Sequence, residues 1–206
     1  MTENFPLFNE LADLARAVSA CRRCRLARSR TRAVPGEGSP SASVMFIGEG
    51  PGYHEDQQGR PFVGAAGQLL DELIEGIGMQ RRDVFIANVL KCRPPDNRDP
   101  QPDEAAACRP YLNRQIELVD PKIVVLLGRH ALQAHFPDAQ ISKARGVSRY
   151  IDGRTFLPVY HPAAALRQTR LRDTLRTDFA LLPMLLEGSE VPSPPKPEAE
   201  QLSMFG

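Results

Sequence analysis

The stretch Val44–Leu70, "VMFIGEGPGYHEDQQGRPFVGAAGQLL", decides how this chain is read. It opens on a short apolar run, turns through Gly48, Gly50, Pro51 and Gly52, and crosses a set of polar residues. It then presents Pro61, Phe62 and Val63 and ends in apolar residues at helical spacing. A strand, a turn and a helix in that order make the first half of a βαβ unit. The residues from Glu49 to Arg60 read as an acid-rich loop, and Phe62 stands outside the period of the helix that follows.

Three more segments resemble that first strand, "SVMFIGE" (43–49). They are "VFIANVL" (84–90), "KIVVLLG" (122–128) and "TFLPVYH" (155–161). Each is short and apolar without alternation, as strands covered on both faces tend to be. Helical patterns lie between and after them: "AAGQLLDELIEGIG" (65–78), "PDEAAACRPYLNRQIELV" (102–119), "GRHALQAHF" (128–136) and "LRDTLRTDFALLPMLLEG" (171–188). Asp103 and Glu104 sit in the first turn of the second, where the helix dipole favours negative charge. The alternation predicts an α/β fold, a three-layer α/β/α sandwich around a central, mainly parallel four-stranded sheet. In such sheets ligands bind outside the carboxyl ends of the strands. Three of those ends carry Glu49, Asn88 and His161, so one rim should gather all three.

The 206 residues suffice for one such domain, and a composition of 42% hydrophobic and 25% charged residues is that of a globular chain. A net charge of +1 announces no polyanionic partner. Arginines nevertheless crowd Arg22 to Arg32 and Arg167 to Arg176, as patches facing a phosphate backbone would. The N-terminus carries acids and an amphipathic helical pattern, not a basic segment followed by an apolar one, so it reads as no secretory signal. A cytoplasmic protein is expected, in which cysteines are ligands or free thiols rather than disulfides.

Cys21 and Cys24 form a C-x2-C, while Cys92 and Cys108 form a C-x15-C. A C-x2-C aims two sulfurs at one point, which favours a four-thiolate metal site, and spacing alone leaves zinc and iron–sulfur equally open. Such a site would tie the N-terminal segment to the loop after the second strand.

The motifs "GEGPGYHEDQQGRPFVGAAGQLL", "NVLKCRPPDNRDPQPDEAAACRPYL" and "VYHPAAALR", with the four cysteines, closely resemble family 4 uracil-DNA glycosylases. These are the iron–sulfur, thermostable-type members of the uracil-DNA glycosylase superfamily, and the likeness runs from about Cys21 to Leu186. It implies a [4Fe–4S] cluster on Cys21, Cys24, Cys92 and Cys108, with a structural and DNA-positioning role. It implies hydrolysis of the bond between uracil and deoxyribose after the base has left the duplex, with uracil-containing DNA as substrate and a monomer as the working unit. A self-trapping sister group carries a nucleophilic His in the loop that here reads "RPPDNRDPQPDEAAA", which has none, so ordinary turnover is expected.

The resemblance also assigns roles. Phe62 resembles the platform on which flipped uracil stacks. Asn88 would read the uracil edge, provided that hydrogen bonds lock its amide. His161 would donate to uracil O2 as charge grows on the leaving base. Leu166 would be the minor-groove wedge and Arg167 a phosphate contact. Gly50 stands where the superfamily's best-known members have a water-orienting aspartate, so catalysis falls to Glu49 and Glu55, with Asp56 a further candidate; Gly50 itself would border the substrate. Exclusion of the thymine methyl would rest on Glu55 and the backbone of Gly52 and Tyr53.

Residues 1–187 thus read as one glycosylase domain and 188–206 as a Pro-rich tail. The tail ends in "QLSMFG", whose Gln201, Leu202, Met204 and Phe205 resemble a peptide that docks on the bacterial β sliding clamp. Two rival readings remain: a nucleotide-binding α/β enzyme, which lacks a P-loop lysine here, and a non-catalytic, metal-stabilised DNA-binding module.

Overall fold

The structure, a computed structural model, describes residues 5–188. Helix α1 (Leu11–Ala20) buries Leu14 and Val18 and leads into the first cysteine pair. Strand β1 (Glu37–Gly38) precedes β2 (Val44–Gly48), which is followed by α2 (Tyr53–Gln58) and α3 (Ala65–Gly76). Strand β3 (Phe85–Asn88), α4 (Pro102–Val119), β4 (Ile123–Leu127), α5 (Gly128–His135) and α6 (Ile141–Ala144) come next. The hairpin β5 (Arg149–Ile151) and β6 (Arg154–Val159) leads to α7 (Pro162–Arg167), α8 (Arg170–Phe179) and α9 (Leu181–Leu186).

Strands β2, β3, β4 and β6 pair in parallel, and β2, β3 and β4 are buried at every position. Alternate residues of each strand therefore feed two cores. Phe46, Ile86, Val125 and Leu157 pack with α3, α8 and α9 through Leu70, Ile74, Phe179 and Leu182. Met45, Ala87, Val124 and Leu126 pack with α4 and α5 through Leu112, Ile116 and Leu132. These are the three expected layers.

The sheet departs from expectation at its edges. It has six strands in the order β1-β3-β2-β4-β6-β5, and both outer strands run antiparallel to their neighbours. Strand β1 is two residues long, too short for any apolar pattern, and its Gly38 lies so close to β3 that a Cβ would come within 1.9 Å of the Val84 carbonyl oxygen. Strand β5 is exposed throughout, so it carries no core signature. The signal was instead the Asp152-Gly153 pair, with φ of 49° and 82°, which suits the two left-handed positions of a tight hairpin turn.

Two more corrections are local. Part of the acid-rich loop is helix α2, which Glu55 caps by accepting from the Gly52 N–H and Gly59 ends at φ 72°. The last helical run breaks at Ala180, because Pro183 has no N–H to donate and fits only the first turn of a new helix. The tail with Gln201, Leu202, Met204 and Phe205 lies outside the described residues.

Candidate functional site

Strand order reverses beside β2: the chain passes from β2 to β3 on one side and then to β4 on the other. That is the switch point where an open α/β sheet offers a crevice. A cleft of about 530 Å³ lies there, and Glu49, Gly50, Glu55, Phe62, Asn88 and His161 all line it. Registry explains the gathering. Gly48 pairs with Asn88 across β2 and β3, and Leu127 pairs with Val159 across β4 and β6. The residues just past these pairs emerge side by side.

Phe62 is buried, 6% exposed, and belongs to the core as well as to the cleft wall. Its ring centroid lies 5.5 Å from that of the His161 imidazole, with 26° between the planes. Its φ is 50°, a left-handed conformation that costs a bulky residue about 1–3 kcal/mol. Glycines make the room. A Cβ on Gly67 would sit 1.9 Å from the Phe62 carbonyl oxygen, and one on Gly48 would sit 2.6 Å from the Phe62 ring.

The same Gly48 Cβ would lie 2.4 Å from Asn88 Oδ1, so the amide and the ring border one point in space. Asn88 is 2% exposed, and its Oδ1 is buried with no hydrogen-bond partner. A buried carbonyl oxygen left unpaired costs about 1–3 kcal/mol, so this one is poised for a donor that the protein does not supply. The main chain beneath the amide is fixed: Lys91 Nζ donates to the Asn88 carbonyl at 2.8 Å and to Gln115 Oε1 at 2.5 Å. Lys91 is wholly buried, and burial pulls its pKa down to about 7.

His161 is the N-cap of α7. Its Nδ1 accepts from the Ala163 N–H at 3.1 Å, so the neutral ring carries its proton on Nε2. Burial, reinforced by the Arg167 guanidinium, pulls its pKa down to about 4. At neutral pH the side chain is an uncharged Nε2–H donor of fixed tautomer. Gly128, at φ 87°, completes the cradle, since a Cβ there would lie 2.8 Å from His161 Cβ.

The carboxylates divide. Glu55 Oε1 accepts from the Val63 and Gly64 N–H groups, each at 2.9 Å, and its Oε2 accepts from Gly52 at 3.1 Å. Both oxygens thus hold the turns on either side of Phe62. Asp56 is buried away from the cleft and accepts from the Thr31 N–H at 2.9 Å, so it anchors the Arg-rich segment and leaves the list of water-orienting candidates. Glu49 faces the cleft, and burial raises its pKa despite the opposing pull of His130. Tyr53 is 55% exposed, stacks under the Arg93 guanidinium, and does not line the cleft.

Sequence reasoning passed over His130 and Asp99. His130 Nε2 lies 3.7 Å from Glu49 Oε2 and 3.3 Å from Asp99 Oδ1. A His, an Asp and a Glu this close are a conceivable ion site. The Arg129 guanidinium, however, already donates to Asp99 at 2.7 Å and lies 3.0 Å from the same His130 nitrogen. Its hydrogen bond holds the Asp99 carboxyl below the usual range. Only the Arg-His pair opening α5 hinted at this, and its partner Asp99 is 30 residues away.

Leu166 is 40% exposed on α7, and Arg167 lines the cleft. The first arginine cluster is partly engaged by the protein's own groups. Arg25 pairs with Asp103 at 2.6 Å, and Arg30 donates to Cys92 Sγ at 3.0 Å and to the Ser19 carbonyl at 2.8 Å.

The four cysteines are free thiols, with Cys92 and Cys108 buried and Cys21 and Cys24 half-buried. Cys24, Cys92 and Cys108 pack with Leu26, Leu90 and Ala105 in a small apolar cluster. Burial pushes the Cys92 thiol up and the Cys108 thiol up to about 12. The Arg23 N–H points at Cys21 Sγ at 3.5 Å, and Arg30 reaches Cys92. Sulfurs in an apolar pocket with N–H donors aimed at them fit thiolates bound to metal better than inert thiols.

Comparison with known proteins agrees with this arrangement. Residues 35–181 match the family model described as the uracil DNA glycosylase superfamily. The chain is similar to proteins named type-4 uracil-DNA glycosylase from three organisms. Identity is 50% to that of Sulfurisphaera tokodaii, over 83% of this chain and 82% of that protein. It is 45% to that of Archaeoglobus fulgidus, over 82% and 89%, and 47% to that of Thermotoga maritima, over 73% and 80%.

Proposed function

The chain belongs to the uracil-DNA glycosylase superfamily, and on that premise we propose how its cleft divides the work of excision. The protein is a DNA-repair hydrolase that cleaves the bond between uracil and deoxyribose, leaving free uracil and an abasic site. The base leaves the stack and enters the cleft, where it stacks on Phe62. Asn88 Oδ1 accepts from uracil N3–H while the amide NH2 donates to O4. Cytosine offers an acceptor at N3 and a donor at C4, so an Asn88 amide held in the uracil-reading orientation would be left mispaired, which supports rejection; the protein supplies no partner to Oδ1 that would hold that orientation. His161 donates its Nε2–H to O2 as negative charge grows there, a contribution of about 3–4 kcal/mol for one preorganised donor.

Glu49 is the carboxylate left free to meet the incoming water and the positively charging sugar, because both oxygens of Glu55 are engaged with backbone amides. Glu55 and Gly52 form the wall near uracil C5. Leu166 fills the space the base vacates, and Arg167 meets phosphate. The observation that carries this reading is the unpartnered, buried Asn88 Oδ1 beside the Phe62 ring, in the cleft that His161 also lines.

Cys21, Cys24, Cys92 and Cys108 would hold a [4Fe–4S] cluster, which the donor set fits. When bound, the cluster supplies a four-point cross-link and no step of the hydrolysis. These residues then join the segment after α1 to the loop after β3 and to α4, fixing the arginines between Cys21 and Arg32 near DNA. A cytoplasmic monomer that docks on the sliding clamp through Gln201, Leu202, Met204 and Phe205 completes the reading; among the described residues no helix is long and apolar enough to cross a membrane.

The test is excision from a uracil-containing oligonucleotide, followed by alkali. The wild type yields a cleaved strand, Asn88→Ala yields one far more slowly, and a wild type that leaves the strand intact would overturn the proposal.

A further inference from the structure

Phe62 is a bulky residue at a left-handed backbone position, and the groups that force it there can be counted. The N–H groups that follow it are held by Glu55. The carbonyl groups on its other side are held by Arg81, from the 3₁₀ turn Arg81–Asp83 just before β3. Arg81 donates from Nη1 to the Phe62 carbonyl at 3.1 Å and from Nη2 to the Pro61 carbonyl at 2.6 Å. Its remaining donors are also spent: Nη1 on Asp71 Oδ1 at 2.7 Å, and Nη2 and Nε on Glu37 Oε1 at 2.8 and 3.0 Å. All five guanidinium N–H groups have an acceptor, and two of those acceptors are the carbonyl oxygens of Pro61 and Phe62.

We propose that Arg81 is a positioning residue for uracil excision: by gripping the Pro61 and Phe62 carbonyls it holds the strained turn that turns the Phe62 ring face into the cleft. The geometry favours this over a plain surface clamp. A clamp between β1 and α3 would need only Glu37 and Asp71, which exposed ion pairs could link more simply. The guanidinium instead sits half-buried, with its planar fork spread over two carbonyl oxygens. Lysine could not reproduce that fork, because an ammonium has three donors and no plane. Arg81 does not line the cleft, so it acts only through Phe62. Glu37 keeps it in place. Burial works against the Glu37 charge, but the hydrogen bonds from Arg60 and Arg81 outweigh it and hold that carboxyl below its ordinary range.

The inference rests on Phe62 being the uracil platform, and a double-mutant cycle separates the two ideas. Single-turnover excision is measured for wild type, Arg81→Gln, Phe62→Ala and the double variant, well below the lowest melting temperature. Inhibition by free uracil is measured alongside. Phe62→Ala should slow excision, and Arg81→Gln should slow it about 10- to 100-fold by displacing the ring. The double variant should match Phe62→Ala within about twofold, because the two changes disable one device. Free uracil should inhibit Arg81→Gln and Phe62→Ala more weakly by similar factors. Should Arg81→Gln not fold, Arg81→Lys takes its place in the same cycle, with an intermediate loss expected. A Phe62→Ala enzyme as fast as wild type would overturn the platform and this proposal together. A slow Phe62→Ala beside an Arg81 variant of wild-type rate, or rates that multiply in the double variant, would overturn the role of Arg81 alone.

Discussion

The uracil cleft and the cysteine corner lie only a few residues apart along the chain, yet they are finished by different means. In the cleft, the protein supplies the constraints on Phe62 and His161 and leaves Asn88 Oδ1 without a partner. Gly48 and Gly128 admit the Phe62, Asn88 and His161 side chains and Gly67 admits the Phe62 main chain, while backbone amides occupy Glu55 and His161 Nδ1. The corner is built the other way. It buries two thiols, pushes both up in pKa, and places the wholly buried Lys91 beside them. On the proposed reading a metal completes that corner, whereas the cleft lacks only a donor for Asn88 Oδ1. Damage to the cleft should therefore appear in rate first, and damage to the corner should appear in melting temperature first.

The largest expected effect tests the cleft. His161→Ala removes the proposed donor at O2 and should lower kcat about 10²- to 10³-fold, read by single-turnover excision, with a Tm loss no larger than loss of the α7 cap causes, about 1 kcal/mol of stability. A matching fall in Tm would erase the contrast. Next comes the corner. Cys108→Ala should cost about 2–5 kcal/mol, by comparison with losing a native cross-link, read by thermal unfolding with the iron content of the purified protein assayed in parallel. Unchanged stability with iron lost would show that the corner is not held by metal. Phe62→Ala follows, with excision slowed by the worth of one stacked base, about 1–3 kcal/mol.

The last test is a pH dependence inside the cleft. The His161 pKa is about 4 in the folded protein and near 6.5 when unfolded, so between these values the unfolded chain binds more protons. Stability should fall as pH drops through 6.5 toward 4. Each pH unit of that window costs up to about 1.4 kcal/mol, and each kcal/mol lowers Tm by about 2–4 °C, a part that His161→Ala should abolish. A wild type and a His161→Ala variant with identical acid profiles would show that the ring is not held neutral by its surroundings.

Much of this was legible in the sequence because the parallel strands are buried on both faces and so read as unbroken apolar runs. Strand ends followed from those runs, and with them the convergence of Glu49, Asn88 and His161. What was not legible depends on contacts distant along the chain or on backbone angle. Nothing near Phe62 announces φ of 50°, and Arg81 grips its carbonyl from 19 positions away. Asp99 and His130 meet across 31 positions, joining the loop before α4 to the start of α5. Strand β5 was missed although Asp152-Gly153 marked its turn, because an exposed edge strand leaves no apolar trace.

The cap that His161 gives to α7 also limits the chemistry open to this enzyme. With Nδ1 committed to the Ala163 amide, the ring has no lone pair to offer a water molecule and so cannot serve as a base. Nor can it surrender its remaining proton without becoming an imidazolate. On the proposed reading His161 therefore steadies the charge on departing uracil with a hydrogen bond and takes no proton from water.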